Sequence, residues 1–133
     1  MVLQRHPDFE IIKFVLKVEG EEPVDIPVKD VEEIHIQIPG GKKYFMEMHF
    51  LVKNRRLDDF KYKQVVKKAG ITVRTREVEV GSYDPSEEIY VKEFPEDESP
   101  GGFFMRGHYG ANSTYFAGEE QLLSNDWTLE IVK

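Results

Sequence analysis

A chain of 133 residues fits one domain and is long enough to bury a sizeable core. Its 40% hydrophobic and 32% charged residues read as a soluble globular protein, and a net charge of −7 with a pI near 5.1 argues against nucleic acid, whose phosphates need a basic face. It has no cysteine, which excludes a disulfide framework and thiol chemistry, and no apolar run long enough for stable membrane insertion, so a cytoplasmic protein with a basic partner or tail is expected.

Only about eight residues precede the first pattern, so the sequence predicts a single domain over 1–133 with no N-terminal arm. Residues 10–18, EIIKFVLKV, place Ile12, Phe14, Leu16 and Val18 on one side of a strand. A turn over 20–23 leads to a short extended piece, 24–28, which Pro27 restricts to an edge or an irregular course. Residues 33–38 alternate Ile34, Ile36 and Ile38 against His35 and Gln37, and Pro39, Gly40 and Gly41 turn the chain into 43–53. There Tyr44, Met46, Met48, Phe50 and Val52 face one way, and Phe45, Glu47, His49, Leu51 and Lys53 the other. Methionines and aromatic rings are softer and longer than the Val, Ile and Leu of an ordinary strand core. Such a face suits a cavity that re-packs around an apolar guest; taken alone, it equally fits a core strand with methionine gap-fillers.

Residues 54–59 form a charged connector holding Leu57, and 60–66 set Phe60, Tyr62, Gln64 and Val66 against Lys61, Lys63 and Val65. The KKAG at 67–70 reads as a bulge or turn inside one long strand running to Val80. A strong turn at 81–85, an extended piece at 88–94 and an acidic loop at 95–102 follow. Residues 103–109 read as a strand continued by 112–116, residues 117–121 as one helical turn, and 127–132 as a closing strand with Trp127, Leu129 and Ile131 on one side. Many short alternating runs without a sustained helical period predict an all-β fold, a sandwich of two sheets.

Nothing in this pattern suggests an enzyme. The four histidines lack metal-ligand spacing, the adjacent pairs Asp58, Asp59 and Glu87, Glu88 point to opposite faces of a strand, and Ser82 and Ser99 sit in turns. No cofactor is implied. Arg106, among apolar neighbours, reads as a half-buried arginine paired with a structural carboxylate.

The runs KYKQVVKKAGITV, VGSY-P, FPEDESPGGFFMRGHY and LLSNDWTLEIVK, in this order and spacing over residues 9–133, resemble the C-terminal domain of the Rho GDP-dissociation inhibitors. The resemblance implies an immunoglobulin-like β-sandwich whose sheets part to admit the isoprenyl tail of a small GTPase of the Rho or a related family. By position it assigns the lipid pocket to Leu16, Ile36, Tyr44, Phe104, Ala111 and Trp127, with Met46 and Met48 added by the soft face of their strand. Three departures change the pocket: Asn125 replaces the first of two tryptophans, Arg56 replaces an isoleucine with Leu57 beside it as the lining residue, and Ala111 shrinks one wall while Phe104 enlarges another. The resemblance also implies that Glu96, Asp97 and Glu98, with Glu119 and Glu120, face the basic segment before a prenylated cysteine. The family's arm, which clamps the GTPase switch regions, has no counterpart before Phe9.

The leading expectation is therefore a carrier that solubilises a prenylated GTPase and regulates its membrane cycling. Two others stand beside it: a sandwich with a closed core that binds a partner through its surface, and a carrier of another apolar isoprenoid.

Overall fold

Apolar–polar alternation becomes strand after strand in the computed structural model, which describes residues 6–28, 31–102 and 105–133. In chain order the strands are β1 (Phe9–Val18), β2 (Val24–Pro27), β3 (His35–Pro39), β4 (Lys43–Val52), β5 (Leu57–Lys68), β6 (Ile71–Tyr83), β7 (Tyr90–Glu93), β8 (Asp97–Glu98), β9 (Gly107–Ala117) and β10 (Glu120–Val132). One sheet runs β2-β1-β4-β7, with β8 beside the start of β4; the other runs β3-β10-β9-β5-β6. All pairings are antiparallel except β3 with β10. The inner faces of both sheets join in one apolar core, giving the expected immunoglobulin-like sandwich.

The central strand behaves as its alternation predicts. Met48, Phe50 and Val52 are fully buried, whereas Tyr44 and Met46, nearer its start, are half-exposed. Burial therefore falls off along one strand, and this gradient separates two ends of the molecule. Where β4 ends, rings fill the sandwich: Phe9 meets Phe60 at 4.9 Å and Phe50 at 5.9 Å, and Phe50 meets Tyr83 at 5.1 Å, in edge-on contacts. Each such ring removed from water stabilises the fold by about 1.5–3 kcal/mol, and together they close that end.

Several local expectations are corrected. In β1 a register shift between Ile11 and Lys13 swaps the faces, so Ile11 is buried and Ile12 only half-buried, while Leu16 and Val18 stay inside. The KKAG segment is a true hairpin turn between β5 and β6: Ala69 and Gly70 have φ of 51° and 80°, both left-handed, as a two-residue type I′ connection requires. The GSY of the expected 81–85 turn instead ends β6. Gly118 and Glu119 form a tight turn joining β9 to β10, so there is no helical turn over 117–121, and β10 begins seven residues before Trp127. The strand expected from 103 begins at Gly107, and Arg106, just before it, is exposed rather than half-buried.

Candidate functional site

At the end opposite the aromatic cluster the sheets part around a cavity of about 130 Å³. Tyr44 and Met46 of β4 and Phe94 form its wall on the first sheet. Ile38 of β3, Tyr62, Gln64 and Val66 of β5, and Trp127, Leu129 and Ile131 of β10 form the facing wall. Val73, Arg74 and Arg76 of β6 edge the cavity, as do Met105 and Tyr109. The lining follows from strand periodicity: 62, 64, 66 and 127, 129, 131 are alternate positions that share a face. Thioethers, rings and branched side chains present an apolar interior with few fixed polar points.

Those polar points are arranged in two groups. Deep in the wall, Ser113 Oγ accepts from Trp127 Nε1 at 2.9 Å and lies 2.7 Å from Tyr62 Oη, which accepts from Gln64 Nε2 at 3.0 Å. This buried network fixes the indole of Trp127 against the cavity. Beside it the buried Asn125 accepts no hydrogen bond at its side-chain oxygen from any described residue.

The second group spans the mouth. Asp97 of β8 receives both terminal nitrogens of Arg74, at 2.7 and 2.8 Å, and lies 3.8 Å from Arg76, whose other nitrogen donates to the Pro95 carbonyl at 2.6 Å. Tyr44 Oη donates to the same carboxylate at 3.2 Å. The arginines belong to one sheet and Asp97 to the other, so this is a strap across the opening. Burial works to raise the Asp97 pKa, but the Arg74 hydrogen bonds, the Glu98 amide and the two guanidinium charges outweigh it and hold the carboxyl below its usual value. Burial, reinforced by the Asp97 charge, pushes the Tyr44 hydroxyl up to about 12, so it remains a donor throughout the neutral range.

The expected pocket residues divide accordingly. Tyr44, Met46 and Trp127 line the cavity. Leu16, Ile36, Met48 and Ala111 are buried in the core behind it: Leu16 is the register partner of Met46, Ile36 lies beside Leu129, and Ala111 lies opposite Trp127. Leu57 is corrected more sharply. It starts β5, in register with Tyr83 at the closed end, and at about 3.3 Å per residue it lies roughly 23 Å along the strand from Gln64. Arg56, beside it, is exposed and bonds Asp58 and Asp84 at 2.7 and 2.8 Å. Phe104 lies outside the described residues.

The five acidic residues do not form one patch. Glu96, Asp97 and Glu98 sit at the cavity mouth, where Glu98 pairs in register with Lys43 at the start of β4. Glu119 lies in the turn after β9 and Glu120 begins β10, beside Ala117, the last residue of β9, which pairs with Phe60 at the closed end. An uninterrupted strand of 11 residues separates the two groups, and Glu120 there bonds Arg55 at 2.7 Å. Sequence reasoning missed Arg74, Arg76, Val73 and Met105. The VRTR run of alternating arginines was the available signal, because positions 74 and 76 must share a face of the strand.

Among the described residues no group of three or more His, Asp or Glu side chains is placed to hold a metal ion, and no helix is long and apolar enough to cross a membrane. The family model described as RHO protein GDP dissociation inhibitor matches residues 2–133. The chain belongs to the Rho GDP-dissociation inhibitor family. A Rho GDP-dissociation inhibitor of Schizosaccharomyces pombe is 31% identical over 131 residues, covering 92% of this chain and 63% of its own length. That of Saccharomyces cerevisiae is 33% identical over 80% of this chain and 54% of its own, and Rho GDP-dissociation inhibitor 1 of Homo sapiens 31% identical over 70% and 46%. The chain thus spans less than two thirds of the length of these inhibitors. Among solved structures, the C-terminal domain of wzt superposes with a TM-score of 0.61 at 14% identity, covering 95% of this chain and 74% of that one, a likeness of fold alone.

Proposed function

We propose that this member of the Rho GDP-dissociation inhibitor family takes the isoprenyl tail of a Rho-type small GTPase between its sheets and so carries the GTPase off the membrane. The observation that supports the reading most is the apolar cavity edged by Tyr44, Met46, Val73, Met105 and Trp127 at the open end of an otherwise packed sandwich. The chemistry is partition, with no bond made or broken: no enzymatic step is proposed.

Size sets how the cavity works. A cavity of about 150 Å³ holds one benzene ring, so 130 Å³ receives about one isoprene unit of a 15- or 20-carbon tail. The remainder enters as the walls yield, through rotation of Met46 and Met105 and release of the Arg74–Asp97 strap. Each buried methylene is worth ~0.8 kcal/mol, in a bilayer as in a protein. The pocket therefore roughly balances the membrane, and contacts with the GTPase surface supply the difference.

The test is titration with a geranylgeranylated cysteine peptide, read by energy transfer from Trp127, the only tryptophan. Met46→Glu, which sets a charge in the cavity wall, lowers affinity at least tenfold; Val91→Glu, on the exposed outer side of β7, leaves it unchanged. Equal affinity for prenylated and unprenylated peptides would instead establish a closed-core sandwich that works through its surface.

A further inference from the structure

The β5–β6 hairpin carries a charge that the rest of the molecule does not. From Lys61 to Arg76 the chain has six cations and no carboxylate, within a protein of net charge −7. On the body of the hairpin this charge is answered locally, since Lys61 and Lys63 lie in register with Glu79 and Glu77. Toward the tip the register partners carry no carboxylate: Lys67 lies opposite Thr72 and Lys68 opposite Ile71. Lys67 is exposed, Lys68 donates to the Arg106 carbonyl at 3.1 Å and lies 4.8 Å above the Tyr109 ring, and Arg74 and Arg76 share the single carboxylate of Asp97.

Large apolar side chains stand among these cations. Ile71, at the tip, is 69% exposed, Val73 51% and Met105 41%. Val73 and Met105 edge the cavity, and Tyr109 beneath Lys68 lines it, so the cationic tip and the apolar rim belong to one mouth. β6 is also the edge strand of its sheet, and an apolar edge without a cover is ordinarily suppressed. Interspersed cations and projecting apolar groups match an anionic bilayer, where lysines meet headgroup charge and short apolar side chains reach the acyl boundary.

We propose that the tip of the β5–β6 hairpin docks on the anionic surface of a membrane and holds the cavity mouth against the bilayer from which a tail is drawn. This rests on the tail-carrying function proposed above and adds a second binding surface to it. Net charge does not prevent docking. At physiological salt the Debye length is about 8 Å, while β5 alone, at about 3.3 Å per residue, is close to 40 Å long. Glu119 and Glu120, at the far end, are screened from a surface that the tip touches. The exposed Ile71 and Val73 then move from water to lipid, and the cavity opens into a medium as apolar as itself.

The experiment is co-flotation of the unloaded protein with vesicles of phosphatidylcholine alone or mixed with phosphatidylserine. The protein binds the mixed vesicles at physiological salt, is released by high salt, and ignores the neutral ones. Lys67→Glu and Ile71→Asp each reduce binding about fivefold or more, since one cation near such a surface is worth about that factor. Both positions are exposed and outside the cavity, so affinity for a geranylgeranyl-cysteine peptide without vesicles stays at the wild-type value. Docking that is absent, equal on neutral vesicles, or unchanged in both variants overturns the proposal. Failure of the peptide to bind in solution would strike the tail-carrying function and leave docking standing.

Discussion

Tyr44 joins the wall of the cavity to its strap: its ring lines the apolar space and its hydroxyl holds Asp97. Because the folded protein raises its pKa from 10.0 to about 12, the fold favours the protonated phenol. That stabilisation is complete below pH 10 and is lost as pH climbs through 12, on the order of 2–3 kcal/mol for a shift of this size. Unfolding followed in urea between pH 9 and 12 should show the loss, and Tyr44→Phe should flatten the decline by that amount. Asp97 titrates at the other extreme with the opposite sign. Its lowered pKa gives stability that is present above 3.8, the ordinary value, and disappears as pH falls below it through the folded value. Asp97→Asn should therefore unfold more easily than wild type at pH 7, the gap closing below pH 3.8. Because the same change cuts the strap across the mouth, stopped-flow mixing with a prenyl-cysteine peptide should show faster uptake by Asp97→Asn at pH 7.

The hairpin turn between β5 and β6 has Ala69 at φ 51°, where an L side chain costs roughly 1–2 kcal/mol. Asparagine tolerates that conformation and heads the preferred Asn-Gly pair of such turns. Ala69→Asn should raise stability by about 0.5–1 kcal/mol in urea melts, while the same change in a bulge within one long strand would leave it unaltered or lower. The turn also shows where sequence stopped being informative. Alternation is local, so the face of every β4 residue was legible, and so was the soft character of Tyr44, Met46 and Met48. Alanine is not a turn residue, so Lys67, Lys68, Ala69 and Gly70 gave no firm sign of two strands rather than one. The strap joins residues more than twenty positions apart, and its geometry depends on β8 settling against the start of β4. The two acidic groups, close in character, are parted by the length of β9, which only the topology reveals. Which of the apolar residues line the cavity and which pack behind it depends on how side-chain volumes add up between the sheets. No strand read singly contains that information, and Leu16, Ile36, Met48 and Ala111, expected in the lining, pack behind it.

The whole molecule is polarised from end to end. Rings seal one end around Phe9, Phe50 and Phe60, and the other holds the cavity, the strap and the cationic tip. Glu98, with Glu96 just before its strand, pairs with the start of β4 in one sheet, whereas Lys67 and Lys68 end β5 in the other, so a basic protein segment and an anionic membrane would meet residues of different sheets. Screening limits each such contact to about 0.2–1 kcal/mol, which leaves the cavity as the anchor. With the same prenyl group, a lysine-rich peptide should bind more tightly than a serine-rich one at low salt and equally at high salt; no advantage at low salt would leave Glu96 and Glu98 as solvated surface. The central claim is that the tail lies between the sheets, and photo-crosslinking tests it most directly. A geranylgeranyl-cysteine peptide with a photoreactive group on the isoprenoid, irradiated with the protein and mapped by mass spectrometry, should label Met46, Trp127 and their neighbours on the inner faces of β4 and β10. Labelling confined to the exposed Ile89, just before β7, and Val91 within it, or to the closed end around Leu57, would contradict it.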